Sequence, residues 1–133
     1  MDKKYIKQME EKKIFKVIIA GGRDFNDYKL LDDKCLKILS KKLKTHKVEI
    51  VSGHAKGADE LGERFAVNHN LQLYCYPADW DKYGKSAGYR RNVVMSENAD
   101  SLIAFWNGES KGTKHMIDIM QRQNKPYRII KYK

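Results

Sequence analysis

The sequence predicts a doubly wound α/β domain, a three-layer sandwich on a mainly parallel sheet of about five strands. Three observations carry this. Short apolar segments rich in β-branched residues alternate with segments whose apolar residues recur at helical spacing. Such alternation implies parallel strands joined by right-handed crossovers. The first strand, Ile14–Ala20, is apolar except at Lys16, as a strand covered on both faces must be. Glycine-bearing turns follow the first, second and fourth strands, and in such sheets ligands bind beyond strand C-termini where the order reverses.

Each element has its own local reason. Met1–Lys13 is polar and lysine-rich, with Ile6 and Met9 at helical spacing; it is expected to be a basic arm ahead of one domain over 14–133. Ile14–Ala20 ends at Gly21-Gly22, followed by Arg23 and Asp24. Asn26 or Asp27 can cap the next helix, whose stripe is Leu31, Cys35, Ile38 and Leu39. Lys41, Lys42 and Lys44 suit its C-terminal end. Val48–Val51 is the second strand. Ser52, Gly53, His54 and Gly57 belong to the turn after it, and Ala58, Leu61, Phe65 and Ala66 repeat through a helix to about Asn68. A turn of this kind brings backbone N–H groups to a helix N-terminus, a site for an anion.

Leu71–Tyr76 is the third strand, stopped by Pro77. Ala78–Gly88 is too polar for core and too aromatic for a plain linker. In the helix beyond it, Ala87, Arg91, Val94 and Met95 share a face, so Arg91 points inward and needs an acidic partner or a phosphate. Ser101–Trp106 is the fourth strand. The loop Asn107–Thr113 leads to a helix with Met116, Ile119 and Met120 on one side. Pro126 breaks it, and Tyr127–Tyr132 makes a last, basic strand suited to an edge.

The usual strand order places strand one beside strand four. The loops at Gly21–Asp24 and Asn107–Thr113 then face each other, with Gly53–Gly57 adjacent. A net charge of +10 favours acidic or phosphorylated partners. Cys35 and Cys75 lie in apolar segments and read as buried thiols of a reducing compartment. No apolar run is long enough to span a membrane and the N-terminus is too polar for a signal peptide, so the expectation is a cytoplasmic protein with no membrane partner.

The standard nucleotide motifs do not match. Gly21–Asn26 lacks the spaced glycines of the dinucleotide fingerprint, and neither glycine loop has the Gly-Lys-Ser/Thr of a P-loop. The four histidines are scattered with no metal-site spacing, so neither a metal nor a cofactor is expected. His54 either faces a ligand or is an ordinary exposed histidine.

Four ordered blocks carry a family resemblance. They are Gly21-Gly22-Arg23-Asp24-Phe25; Gly53 through Gly57-Ala58-Asp59; Asp79-Trp80 with Gly84-Lys85, Ala87-Gly88, Arg91-Asn92 and Met95; and Ala104-Phe105 with Gly108 and Gly112-Thr113. Together they resemble the YspA-type, cpYpsA-related branch of the SLOG superfamily, over nearly the whole chain after Lys13. The resemblance implies a Rossmann-like fold and a pocket for nucleotides or nucleotide-derived ligands. It implies that Gly21, Gly22, Arg23, Asp24, Ser52, Gly53, His54, Gly57, Arg91, Asn92, Gly108, Gly112 and Thr113 surround the ligand. Asp59 either caps its helix or binds a ribose hydroxyl. A homodimer is implied by analogy.

LOG phosphoribohydrolases and the DNA-processing protein DprA are relatives within that superfamily. The LOG enzymes place a glutamate three residues after the threonine of their Gly-Thr pair, where this chain has Met116. A methionine cannot assist glycosidic cleavage; Glu60, Glu109 or Asp118 would have to substitute. Three readings follow. The first is a module that senses or sequesters a nucleoside monophosphate or an ADP-ribose-like ligand. The second is an N-glycosidic-bond hydrolase. The third is a single-stranded nucleic-acid binder using the positive charge and Trp80, Tyr83 and Tyr89.

Overall fold

The computed structural model describes residues 12–133, and the expected basic arm falls almost wholly outside them. Among the described residues ten helices and strands follow one another. They are β1 (Ile14–Gly21), α1 (Tyr28–Thr45), β2 (Lys47–Ser52), α2 (Ala58–Asn68), β3 (Gln72–Cys75), a one-turn α3 (Trp80–Tyr83), α4 (Ala87–Glu97), β4 (Ser101–Trp106), α5 (Lys111–Arg122) and β5 (Tyr127–Lys131). A short 3₁₀ turn, Gly84–Ser86, links α3 to α4. All five strands are parallel, in the order β3-β2-β1-β4-β5.

The alternation of β1 explains its nearly unbroken apolar sequence. Val17 and Ile19 enter a core under α1 and α2 with Leu31, Cys35, Leu39, Phe65 and Ala66. Ile18 and Ala20 enter a second core under α4 and α5 with Met95, Met116 and Met120. Both faces of a central parallel strand are covered, as this topology demands. Asp27 makes the cap of α1, its Oδ1 accepting from Leu30 N–H at 3.1 Å. Pro126 ends the last crossover, and β5 forms the expected basic edge.

Three local expectations change. Cys75 is exposed, because β3 is an edge strand with only four residues. Val94 is also exposed, at 43%. The inward face of α4 is turned by part of a residue, so that Asn92 and Ser96 are buried with Ala87 and Met95. The helix α5 starts at Lys111, so Gly112 and Thr113 lie in its first turn and not in the loop.

The β2–α2 turn packs against the β1–α1 turn through backbone. Gly57 has φ +77°, and a Cβ there would stand 2.3 Å from the Gly22 carbonyl oxygen and 2.6 Å from that of Arg23. Both the dihedral and the contact exclude a side chain. Gly57→Ala is expected to lower the unfolding free energy by about 2 kcal/mol or more; a urea midpoint equal to that of the parent would refute the contact.

Candidate functional site

The strand order reverses between β1 and β4, and a cleft of about 280 Å³ opens beyond their C-terminal ends. Its rim has three chain segments: the turn after β1, the turn after β2, and the start of α5. Helix α4 and Trp80 close the remaining side. Backbone hydrogen bonds fix these pieces to one another. Gly22 N–H donates to the Phe105 carbonyl at 3.0 Å, and the Gly22 carbonyl accepts from Phe25 N–H at 3.3 Å and Ala58 N–H at 3.1 Å.

The turn after β2 is braced from within. His54 N–H donates to Ser52 Oγ at 3.1 Å, Ala55 N–H donates to Asp59 Oδ2 at 3.1 Å, and Ala58 N–H is held by Gly22. Three of the N–H groups expected to serve an anion are therefore already bonded. The start of α5 is more open. Ser110 caps it, accepting from Thr113 N–H at 3.4 Å, and its hydroxyl lies 3.1 Å from Thr113 Oγ1. Asn107 Oδ1 holds the loop by accepting from Glu109 and Ser110 N–H groups at 2.8 and 2.9 Å. Nothing stands within 4 Å of the place a Gly112 Cβ would occupy, so Gly112 leaves open space at this first turn where it lines the cleft.

Arg91 points inward, as its helical phase predicts. Its Nη1 donates to the Gly53 carbonyl and its Nε to Asn92 Oδ1 at 3.0 Å. Asn92 Nδ2 in turn donates to the Gly112 carbonyl at 3.3 Å and lies 3.2 Å from His115 Nδ1, so α4 fixes the start of α5. Burial and the charge of Arg122 push His115 down, favouring a neutral ring. Among the described residues neither Arg23 nor Arg91 makes a direct ion pair. Burial weighs against the Arg91 charge, and Asp59 nearby supports it. Arg23 lies over the Trp80 ring, 5.9 Å from its centroid.

Asp59 does not cap its helix. Gly57 holds the N-cap position of α2, and Asp59 sits in the first turn, reaching back to Ala55 N–H. It is only 6% exposed. Burial raises its pKa to about 6, against the opposing Ala55 hydrogen bond and the charges of Arg91 and Arg23. Gly53 is what lets acid and base converge. A Cβ there would lie 2.7 Å from Arg91 Nη1 and 2.8 Å from Asp59 Oδ2.

Gly21, Arg23, Asp59, Arg91, Asn92, Gly112 and Thr113 thus line one cleft. Gly53 and His54 line an adjoining hollow of about 370 Å³ that shares Arg23, Ala55, Trp80 and Arg91 with it. Ser52 is buried beneath the turn, its Oγ donating to Glu63 Oε2 at 2.7 Å. Asp24 turns away to Tyr132, whose hydroxyl donates to it at 2.7 Å, and to Lys133; these bonds hold its carboxyl below the ordinary range. Asp24 and Gly57 face a separate hollow, Gly22 backs onto Tyr132, and Gly108 lies against Lys131, away from the cleft. Ser110 lines the cleft and is not anticipated above, although Ser-x-x-Thr at a helix start is a readable cap. Lys85, Trp80 and Tyr89 also line it. Met116 forms part of the wall, and among the described residues Asp59 is the one carboxylate that does; Glu60, Glu109 and Asp118 do not.

A second cluster lies at the ends of β2 and β3. Glu63 Oε2 is 3.0 Å from His54 Nδ1, and Cys75 stands beside the same carboxylate. Glu63 pushes the His54 imidazole up, while burial and Glu63 push the Cys75 thiol up, so the thiol is not an activated nucleophile.

An open parallel sheet with a polar, arginine-bearing cleft at its switch point defines a Rossmann-like ligand-binding domain. More particularly, the chain belongs to the YspA, cpYpsA-related SLOG family, whose model matches residues 15–83. It is 32% identical over 117 residues to the gene 61 protein of Mycobacterium phage D29, covering 84% of this chain and 92% of that one. Two solved structures share the fold. DNA processing protein A (DprA) from Streptococcus pneumoniae aligns with a TM-score of 0.65 at 14% identity, over 96% of this chain and 53% of that one. DprA from Helicobacter pylori, described for its single-stranded DNA binding mode, aligns with a TM-score of 0.63 at 19% identity, over 99% and 70%. The chain thus spans about half the length of the Streptococcus protein. No helix among the described residues is long and apolar enough to cross a membrane.

The Asp59 carboxyl carries a pH prediction. Unfolded, it ionises near its ordinary 3.8; folded, near 6. Between those values the folded state holds the extra proton, so its contribution lowers stability as pH rises through that window and levels off above it. The difference corresponds to roughly 3 kcal/mol. Asp59→Asn is expected to flatten the change of Tm between about pH 4 and 6 and to raise Tm at pH 7. An unchanged pH profile in the variant would show that Asp59 titrates normally.

Proposed function

We propose that the chain binds a nucleotide-derived ligand in the cleft, as a module that senses or sequesters a nucleoside monophosphate or an ADP-ribose-like molecule. The observation that carries this is a pair of arginines, Arg23 and Arg91, which face the cleft without a direct ion pair, opposite the open first turn of α5. Guanidinium groups and the N–H groups of a helix start are partners for a phosphate. In this reading Asp59 accepts from a ribose hydroxyl and Trp80 and Tyr89 stack on a base, supported by the three residues lining the cleft. The volume suits a mononucleotide portion, with the hollow at Gly53 and His54 available to a longer ligand.

One observation favours a second reading, glycosidic cleavage. Met116 stands where the LOG glutamate would be, but Asp59 is a buried carboxyl in the same cleft with a pKa raised to about 6. A carboxyl held near neutrality is suited to general-acid chemistry.

Calorimetric titration of the full chain with ribonucleoside monophosphates and ADP-ribose tests the first reading. Arg91→Ala and Arg23→Ala are each expected to weaken binding about tenfold or more, the usual loss for a charge-assisted hydrogen bond. Ligands that bind both variants as tightly as the parent would remove the cleft assignment. Chromatography of the same mixtures for free base separates the second reading: release by the parent and none by Asp59→Asn supports it, and no release by the parent excludes it. Tighter binding of single-stranded DNA than of any nucleotide, weakening steeply with salt, would favour a nucleic-acid partner instead.

A further inference from the structure

The cluster of His54, Glu63 and Cys75 lies outside the cleft's chemistry, and sequence spacing gives no hint of it. Parallel pairing brings it together. Ser52 and Cys75 are direct partners across β2 and β3, and Tyr76 N–H donates to the Ser52 carbonyl at 2.8 Å. The residue two beyond Ser52 is His54, held at φ +57° with its N–H on Ser52 Oγ. Glu63 reaches the same point from the second turn of α2. One ligand atom from each residue lies within 4.8 Å of the others.

We propose that His54 Nδ1, a Glu63 carboxylate oxygen and Cys75 Sγ form a binding site for a zinc-type divalent cation. The donor set is one imidazole, one carboxylate and one thiolate, the nitrogen, oxygen and sulfur ligands that borderline-soft Zn²⁺ takes. Bonds of about 2.0–2.3 Å from one ion put ligand atoms closer together than the present outer limit, so a modest inward movement completes the site. The exposure of His54 and Cys75 permits that movement and gives the ion access. Glu63 is positioned from behind: Ser52 Oγ donates to its Oε2 at 2.7 Å, the kind of supporting hydrogen bond that orients a metal-binding carboxylate. Three protein ligands leave a fourth position for water or another ligand. His54 also lines the hollow shared with Arg23 and Arg91, so the ion would sit at its border.

Binding of the ion to the thiolate requires loss of the Cys75 proton, and of any proton on His54 Nδ1, to solvent. No redox step is involved.

The test is titration of the tag-free, reduced full chain with Co²⁺, followed by displacement with Zn²⁺. The expected result is saturable binding of one ion per chain, with thiolate-to-cobalt charge-transfer absorption that Zn²⁺ abolishes. Cys75→Ser should lose that absorption, and Glu63→Gln, which keeps the shape of the side chain, should weaken binding about tenfold or more. Circular dichroism of both variants checks that they fold; Cys75 is exposed, so its serine variant provides the measurement if Glu63→Gln does not fold. Absence of saturable binding to the parent, or binding unchanged in Cys75→Ser, would overturn the site.

Discussion

The backbone of Gly22 is where the rim is held together. Its N–H reaches Phe105 at the end of β4 and its carbonyl accepts from Ala58 at the start of α2. One residue thus joins the turn after β1 to the end of β4 and the start of α2. Backbone bonds of this kind are short and tolerate no inserted side chain, which is why Gly57 stands against the same carbonyl. The rigid rim lets side chains from distant parts of the chain meet in fixed geometry. Arg91 arrives on α4, yet its guanidinium is held by the carbonyl of Gly53, 38 residues earlier, and Asn92 on the same helix ties it to Gly112 at the start of α5.

Charge in the cleft is arranged at a cost in stability. Asp59 is buried far enough to raise its pKa to about 6, and partial burial weighs against the Arg91 charge, while Gly53 lets the two approach. Neither neutralises the other by direct contact. Burial of unpaired charge is unfavourable unless a partner arrives. In the turn after β2 the His54 and Ala55 N–H groups are bonded within the turn and that of Ala58 to Gly22.

Much of the fold was legible because parallel sheets impose strong patterns. A strand buried on both faces must be apolar over its buried length, as Val17–Ala20 and Leu102–Phe105 are. The inward direction of Arg91 followed from its spacing with Ala87 and Met95. Where reading failed, the pattern was weak or the decisive neighbour distant. Cys75 looks buried in an apolar run, but β3 is a four-residue edge strand. Asp59 reads from sequence as either a cap or a ribose ligand; Gly57 takes the cap position, and the carboxylate braces Ala55. Gly108 looks like its companions on the rim, yet its positive φ serves a turn against Lys131.

Local composition and periodicity determined the elements, their parallel pairing and the three turns at one end of the sheet. These depend on residues near one another in sequence, where spacing carries the physics. The tertiary structure alone decided that Asn92 ties α4 to the start of α5, that Arg91 and Asp59 meet across Gly53, and that His54, Glu63 and Cys75 share one corner. Each of those depends on strand register and on helix phase to within a fraction of a turn, and such offsets leave no mark in the spacing of residues along the chain.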